Sequence, residues 1–284
     1  MAANLRERLS QDKIMIVPGV YDALTALLAQ QAGMEAVFLS GSSVSYSQLG
    51  RPDIGLITMS EMVDICARIT DRIEIPVLVD VDSGFGNAAH ASRTIRALER
   101  AGASAVQMED QLPINPANDL KGRPLVPAAV MVDKIKAVVD ARENSETLVS
   151  ARSDAAFSES FDQVLERITL YREAGADILF AEGLKRNEEV KQIVNAANGV
   201  PVLYNLLHSD GDLLSAGDLD NIGVSIALFP GNAVLAGALA VKEAFVELKA
   251  NPSLNPNGFG FSPNDLNAAL GTPEILVKYY GFSG

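Results

Sequence analysis

The chain has 284 residues, carries 23 Lys+Arg against 36 Asp+Glu for a formal net charge of −13, and is 48% hydrophobic with a single cysteine, Cys66. That apolar fraction excludes intrinsic disorder, the lone cysteine excludes an internal disulfide framework and a cysteine-built zinc site, and no apolar run approaches the roughly 18–20 residues of a membrane span. The acidic balance argues against nucleic acid, whose phosphates a negative chain repels, and the N-terminal MAANLRERLSQDK lacks the apolar core of a secretory signal, so the expectation is a soluble, cytoplasmic globular protein.

In chain order the apolar runs that read as strands are IMIVPG (14–19), AVFLSG (36–41), PVLVDVD (76–82), AVQMED (105–110), TLVSAR (147–152), ILFAEG (178–183), PVLYN (201–205) and VSIALFP (224–230). Between them lie stretches such as YDALTALLAQQAG, MSEMVDICARITDR, AHASRTIRALERAG and FDQVLERITLYREAG, with apolar residues three and four apart and several ending in Ala-Gly, a helix stop. Near-continuous apolar strands separated by helices indicate a parallel sheet buried on both faces. Eight such units predict a (β/α)8 barrel rather than an open doubly wound sheet, and no G-x-G-x-x-G follows the first strand to favour the latter. No linker or repeat divides the chain, so residues 1–284 read as one barrel domain with a helical extension from about residue 246. The longest loop candidate, 111–127, follows the fourth strand and reads as a functional lid.

In a barrel, polar residues at the C-terminal ends of strands face the mouth, where reactions occur. Here the ends carry Ser40, Asp80 and Asp82, Glu109 and Asp110, Arg152 with Asp154, Glu182, and Asn205. Asp80, Asp82 and Glu109, with Asp53 on a preceding loop, form an oxygen-rich set without histidine. Unpaired carboxylates this close repel one another. A hard divalent cation relieves the conflict, which points to Mg2+, with Mn2+ as the alternative, and disfavours zinc. The D-x-D spacing predicts Asp80 and Asp82 on one face of their strand. Arg152 is the cationic counterpart, suited to grip a carboxylate or phosphonate. The turn Ser83-Gly84-Phe85-Gly86-Asn87 brings backbone close to the site.

These residues carry a resemblance. DVDSGFGN (80–87) resembles the D-x-D-[ST]-G-[YF]-G-N motif of the isocitrate lyase / phosphoenolpyruvate mutase superfamily. VPGVYDALTALLAQQAG (17–33), FLSGSSVS (38–45), LGRPDIGLITMSEMV (49–63), RTIRALERAGASAVQMEDQ (93–111), ARSDA (151–155) and YREAGADILFAEG (171–183) match it in order and spacing. The resemblance implies a (β/α)8 barrel, a homotetramer whose paired subunits exchange the last helix, and Mg2+. It also implies an enolate-type anion formed by making or breaking a C–C or P–C bond beside a 2-oxo or 2-hydroxy acid. By position, Ser40, Gly41 and Ser42 resemble the loop that binds the acid's carboxylate. Asp80 resembles the direct metal ligand, with Asp53, Asp82 and Glu109 holding metal-bound waters. Arg152 resembles the arginine on the substrate, and Glu182, Asn205 and Pro230 resemble positions around the distal part of a lyase substrate. Glu182 is expected to act as a base, or to orient one, near the departing group.

The chain also departs from the family. Lyases of the superfamily carry K-[KR]-C-G-H after the fourth strand, the cysteine serving as an acid, and gapless alignment puts Ala117 at the thiol position, between Pro116 and Asn118-Asp119. Gln111 stands where the mutase branch has lysine. The resulting expectation is a Mg2+-dependent lyase that cleaves a C–C bond of a small 2-oxo or 2-hydroxy di- or tricarboxylate. It would be methylisocitrate lyase-like but without the lyase cysteine, or oxaloacetate decarboxylase-like. The alternatives are a P–C bond enzyme, of the phosphonomutase or phosphonopyruvate hydrolase kind, and a non-catalytic oxo-acid-binding relative. Cys66 is expected to be a buried packing residue. His90 is expected at a helix start, His208 at the mouth side of the seventh strand, and Glu159, Glu166 and Glu188 on exposed helix faces.

Overall fold

The structure, a computed structural model, describes residues 4–112, 124–206, 215–252 and 262–281. Eight strands form: β1 (Met15–Val20), β2 (Val37–Leu39), β3 (Val77–Asp80), β4 (Ala105–Glu109), β5 (Leu148–Ser153), β6 (Ile178–Ala181), β7 (Val202–Asn205) and β8 (Ile226–Phe229). They run parallel in sequence order, and β8 pairs with β1 from Met15↔Ile226 to Pro18↔Phe229, closing a barrel. That closure establishes the (β/α)8 architecture and removes the open-sheet alternative. Each expected apolar run overlaps one strand; β1 and β5 extend one residue past their runs, to Val20 and Ser153, while β3 stops at Asp80, short of Asp82.

Burial follows the alternation of the strands. Met15, Val17, Phe38, Leu78, Ala105, Leu148, Ile178, Leu203 and Ile226 fill the barrel interior. Val37, Val79, Val106, Val149, Leu179 and Val202 face outward and pack in one cluster with the apolar stripes of the helices, such as Met62, Ile65, Ile69, Ile95, Leu98, Ile135 and Ile168. This double burial is why the strands read as continuous apolar runs. Helix starts are written locally. Capping boxes at Asp22/Thr25, Thr58/Glu61, Ser160/Gln163 and Ser215/Asp218 satisfy the first backbone N–H groups of four helices that follow strands or their loops.

The chain divides into two compact units, Met1–Ala236 and Gly237–Gly284. The first contains the barrel. The second holds most of helix Asn232–Ala250 and the short helices Pro263–Ala269 and Thr272–Tyr280. Leu239, Phe245, Val246, Val277, Tyr279 and Tyr280 of the second unit are exposed in the single chain. Among the described residues no helix is long and apolar enough to cross a membrane.

Candidate active site

The strand ends enclose a cavity of about 390 Å³ lined by Ser40, Ser42, Asp53, Asp80, Gln107, Arg152, Glu182, Asn205 and Pro230, with Tyr46, Phe157 and Leu228 on its walls. Beside it lies a wider recess of about 790 Å³, bordered by Asp82, Glu109, Phe85, His90 and Lys134. Gly41, Asp53, Asp80 and Asp82 surround a small gap near both. The barrel thus gathers residues separated by 190 positions at one end, because each sits at or just beyond the C-terminal end of a strand or in the loop that follows it.

The segment after β2 is held tightly. Ser40 caps the short helix Gly41–Val44, its Oγ accepting from Ser43 N at 3.3 Å and lying 3.0 Å from Ser42 Oγ. Ser43 Oγ donates to the Pro230 carbonyl at 3.1 Å. Gly19 allows this closure, because a Cβ there would lie 1.9 Å from the Pro230 carbonyl oxygen. Gly41 N donates to Asp80 Oδ2 at 3.2 Å, so the serine loop and the first carboxylate are joined directly.

Asp80 ends β3, but Asp82 lies beyond it with φ +46°, in the left-handed region. The expected same-face relation of D-x-D along a strand therefore does not apply. A turn, not the pleat, aims Asp82, and oxygens of both carboxylates still come to the Gly41 backbone, within 3.6 Å of where a Cβ would stand. Phe85 in the same turn also has a positive φ, +57°. Two non-glycine residues in that region store backbone strain of about 1–3 kcal/mol each. Lys134 Nζ anchors the turn by donating to the Ser83 carbonyl at 2.8 Å.

Arg152 is pinned among carboxylates. Its Nε donates to Asp154 Oδ1 at 2.8 Å and lies 3.4 Å from Glu109 Oε2, while a terminal nitrogen is 3.7 Å from Glu182 Oε2. The guanidinium also stacks over Phe180, 5.3 Å from the ring centroid. Burial works against its charge, but Asp154, Glu109 and Glu182 together raise its pKa well above the ordinary value. Burial pushes the Asp80 carboxyl up to about 6, with Arg152 opposing and Asp53 adding to the rise. Burial likewise carries Glu109 well above the usual carboxylate range, against the pull of Arg152. Glu182 accepts from Asn205 Nδ2 at 2.9 Å and from Gly183 N at 3.0 Å, so it is an oriented acceptor at the edge of the cavity.

Asp110, fully buried, accepts from Ser153 Oγ (2.7 Å), Asp154 N (2.9 Å), Tyr171 Oη (2.7 Å) and Arg167 (3.3 Å). It braces β4 against β5 and faces away from the cavity. Arg167 is gripped in turn by both oxygens of Glu159, at 2.7 and 2.8 Å. Glu159 is thus an ion-pair partner rather than plain surface, which corrects the expectation for that residue, while Glu166 and Glu188 are exposed. Asp154 also accepts from the Gln111 side-chain amide.

Among the described residues, no group of three or more His, Cys, Asp or Glu side chains is drawn together to hold a metal ion. Asp80, Asp82 and Glu109 are therefore not a three-ligand cage. The donor set is nevertheless all oxygen, and two of its carboxylates are buried against their preference for charge. That fits a hard cation held by one or two carboxylates, with water and substrate oxygens completing its shell.

The phosphoenolpyruvate phosphomutase family model matches residues 5–249. The chain belongs to this family, within the isocitrate lyase / phosphoenolpyruvate mutase superfamily. It is 38% identical to the 2,3-dimethylmalate lyase of Eubacterium barkeri, over 87% of this chain and 86% of that one. It is 41% identical to the 2-methylisocitrate lyase of Aeropyrum pernix, over 80% of this chain and 72% of that one. Among solved structures it superposes on oxaloacetate acetylhydrolase in complex with the inhibitor 3,3-difluorooxalacetate, with a TM-score of 0.91 at 26% identity, covering 99% and 96% of the two chains. A phosphonopyruvate hydrolase complexed with oxalate and Mg2+ superposes with a TM-score of 0.87 at 26% identity, covering 99% and 100%.

For a family whose lyases place a thiol in the loop after β4, the fate of the one cysteine matters. Cys66 lies on helix Met59–Thr70, fully buried, with Sγ 3.7 Å from the Ala101 carbonyl. Burial pushes its thiol up to about 12. Ala117, Asn118, Asp119 and His208 lie outside the described residues. His90 sits in the first turn of helix Ala88–Arg100, its Nδ1 2.9 Å from Asn87 Oδ1. Gln107, Ser150 and Phe157 are absent from the mouth residues named from the sequence, whereas Asp154 is among them. Gln107 was within reach, because the alternation of AVQME puts it on the same face as Glu109.

Proposed function

We propose that the protein is a Mg2+-dependent carbon–carbon lyase that cleaves a small 2-oxo or 2-hydroxy di- or tricarboxylate through an enolate. The observation that carries this reading is the shared cavity. A buried carboxylate (Asp80), a guanidinium (Arg152) and an oriented acceptor pair (Glu182–Asn205) face one space of about 390 Å³, large enough for such an acid. The two curated relatives named above, both C–C lyases, support the same chemistry.

Asp80 would hold the cation, with Asp53, Asp82 and Glu109 in the layer around it; Mn2+ suits the same donors. When bound, the cation supplies Lewis-acid stabilisation of negative charge on the acid's oxygens. Ser40, Gly41 and Ser42 bind the carboxylate beside the bond that breaks, and Asn205 and Pro230 border its distal part. Glu182 takes the hydroxyl proton as the C–C bond breaks, and the electron pair of that bond passes into the enolate. Arg152, its charge secured by three carboxylates, stabilises the developing anion without having to reorganise. The enolate carbon is then protonated by a donor other than a thiol, since Cys66 is buried and Ala117 stands in the loop.

The second reading is cleavage or rearrangement of a P–C bond, favoured by the description of the matching family model and by the phosphonopyruvate hydrolase likeness. Incubation with Mg2+ and oxaloacetate, 2-methylisocitrate, 2,3-dimethylmalate or phosphonopyruvate separates the two, followed by release of pyruvate, oxalate and phosphate. C–C products support the lyase. Phosphate release or rearrangement from phosphonopyruvate alone transfers the assignment, and silence across the panel with no Mg2+-dependent binding overturns the enzyme reading. The exposed apolar residues of the 237–284 unit support its burial against another subunit; the assembly proposed is a homotetramer with an exchanged last helix, each chain one barrel domain with a helical extension. The substrate is a small anionic carboxylate, drawn by the cation and Arg152 against the acidic balance of the chain, which argues against nucleic acid; no membrane is involved and the enzyme is cytoplasmic.

A further inference from the structure

The floor of the mouth carries a side chain whose chemistry the roles above leave unused. Gln107 lies on β4 between Ala105, which belongs to the apolar interior, and Glu109, and all three share a face. Its register partners are Asp80 on β3 and Ser150 on β5, which puts it between the carboxylate end and the arginine strand. It is 2% exposed and borders the 390 Å³ cavity. Neither its Nε2 nor its Oε1 has a hydrogen-bond partner among the described residues, and the same holds for Ser150 Oγ and Asn205 Oδ1.

Buried amides without partners destabilise a fold, and an apolar residue of the same length would serve packing better. Exchanging the oxygen and nitrogen of the amide changes nothing, because both ends are unpaired. A single substrate group that satisfies both ends donates one hydrogen bond and accepts another. An ionised carboxylate only accepts, and it would set its charge against the amide oxygen. A hydroxyl does both.

We propose that Gln107 is a substrate-binding, specificity-determining residue that pairs with a hydroxyl group, carried by a 2-hydroxy acid or by the hydrated form of a 2-oxo acid. This inference rests on the reading of the mouth as a carboxylic-acid site. It narrows the substrate class to acids that present a hydroxyl to the barrel floor. Sites that hydrogen-bond a substrate hydroxyl reject the analogue lacking it far more strongly than apolar pockets reject an extra group.

The test compares wild type with Gln107→Met, which keeps length and removes both polar atoms. Mg2+-loaded protein is titrated calorimetrically with two matched pairs, malate against succinate and 2,3-dimethylmalate against 2,3-dimethylsuccinate. The expected result is at least about tenfold weaker binding of the hydroxy acid, succinate or its dimethyl counterpart changed less than about twofold, and a ligand-free Tm equal to or above that of wild type. Unchanged hydroxy-acid affinity overturns the proposal. So does an equal loss for both members of a pair, or a lowered Tm that Gln107→Leu shares, which would mark a structural role. Wild-type protein that binds or cleaves these acids while the variant matches it removes this inference alone. Wild-type protein that binds neither pair and turns over nothing overturns the lyase reading and the inference together.

Discussion

Along the same strands the barrel interior changes character. Its lower part is a layer of Met15, Phe38, Leu78, Leu148, Ile178, Leu203 and Ile226, while its upper part carries Asp80, Gln107, Glu109, Arg152, Glu182 and Asn205. The lower layer needs only volume and apolarity. In the upper layer each buried charge requires a partner, so position is set by hydrogen bonds reaching across strands. Arg152 with Asp154, Glu109 and Glu182 shows the rule, whereas the neutral polar groups of Gln107 and Ser150 are left without partners among the described residues. One end of the barrel makes the protein stable, whereas the other accepts unpaired polar groups and buried carboxylates that stability alone would not select.

Substitutions can break that contrast, and the largest effect belongs to the upper layer. Asp80→Ala should reduce Mg2+-dependent turnover by about 10³-fold or more, and wild-type activity in that variant would refute its role with the cation. Glu182→Gln retains an acceptor for Asn205 but cannot take a proton, so kcat should fall by about 10²–10⁴-fold with a smaller change in KM. If KM alone rises, Glu182 only binds.

Effects from the lower layer should appear in stability instead. Ile178→Ala should lower unfolding free energy by about 2–5 kcal/mol, read from denaturant melts, with kcat/KM of the folded enzyme preserved. A specific loss of activity there would show that the two layers are coupled. Tyr171→Phe removes one of four hydrogen bonds at Asp110 and should cost about 1 kcal/mol. The last effect, nil at neutral pH, concerns Cys66. Its folded pKa of about 12 exceeds the ordinary 9.0, so between those values the native state holds a proton that the unfolded chain has lost. Stability attributable to this thiol therefore falls as pH rises from 9 toward 12 and is unaffected below that window. Alkylation of native protein near pH 8 should be much slower than that of a free thiol, and rapid labelling would contradict the burial.

Much of this was legible before the fold was known. The alternation of eight β-branched runs with helical stretches determined the barrel, because a parallel sheet covered on both faces requires that pattern. The polar residues ending those runs located the mouth. Asp82 departs from strand periodicity: the D-x-D spacing carries the strand two residues past Asp80, but the chain has already turned, with Asp82 at φ +46°. Glu159 is hidden for a different reason, since a glutamate near a helix start reads as surface until Arg167 is brought against it.

The sequence by itself determined the secondary-structure order, the family and the set of residues able to do chemistry, since these depend on local propensity, periodicity and residue type. Only the tertiary structure decided which of those residues are partnered. Asp110 is satisfied by Ser153, Arg167 and Tyr171, more than 40 positions away in each case, while Gln107, three residues earlier, is left without a partner among the described residues. Hydrogen bonding acts over about 3 Å and is indifferent to separation along the chain, so the difference between a structural brace and a group awaiting substrate exists only once the barrel has closed.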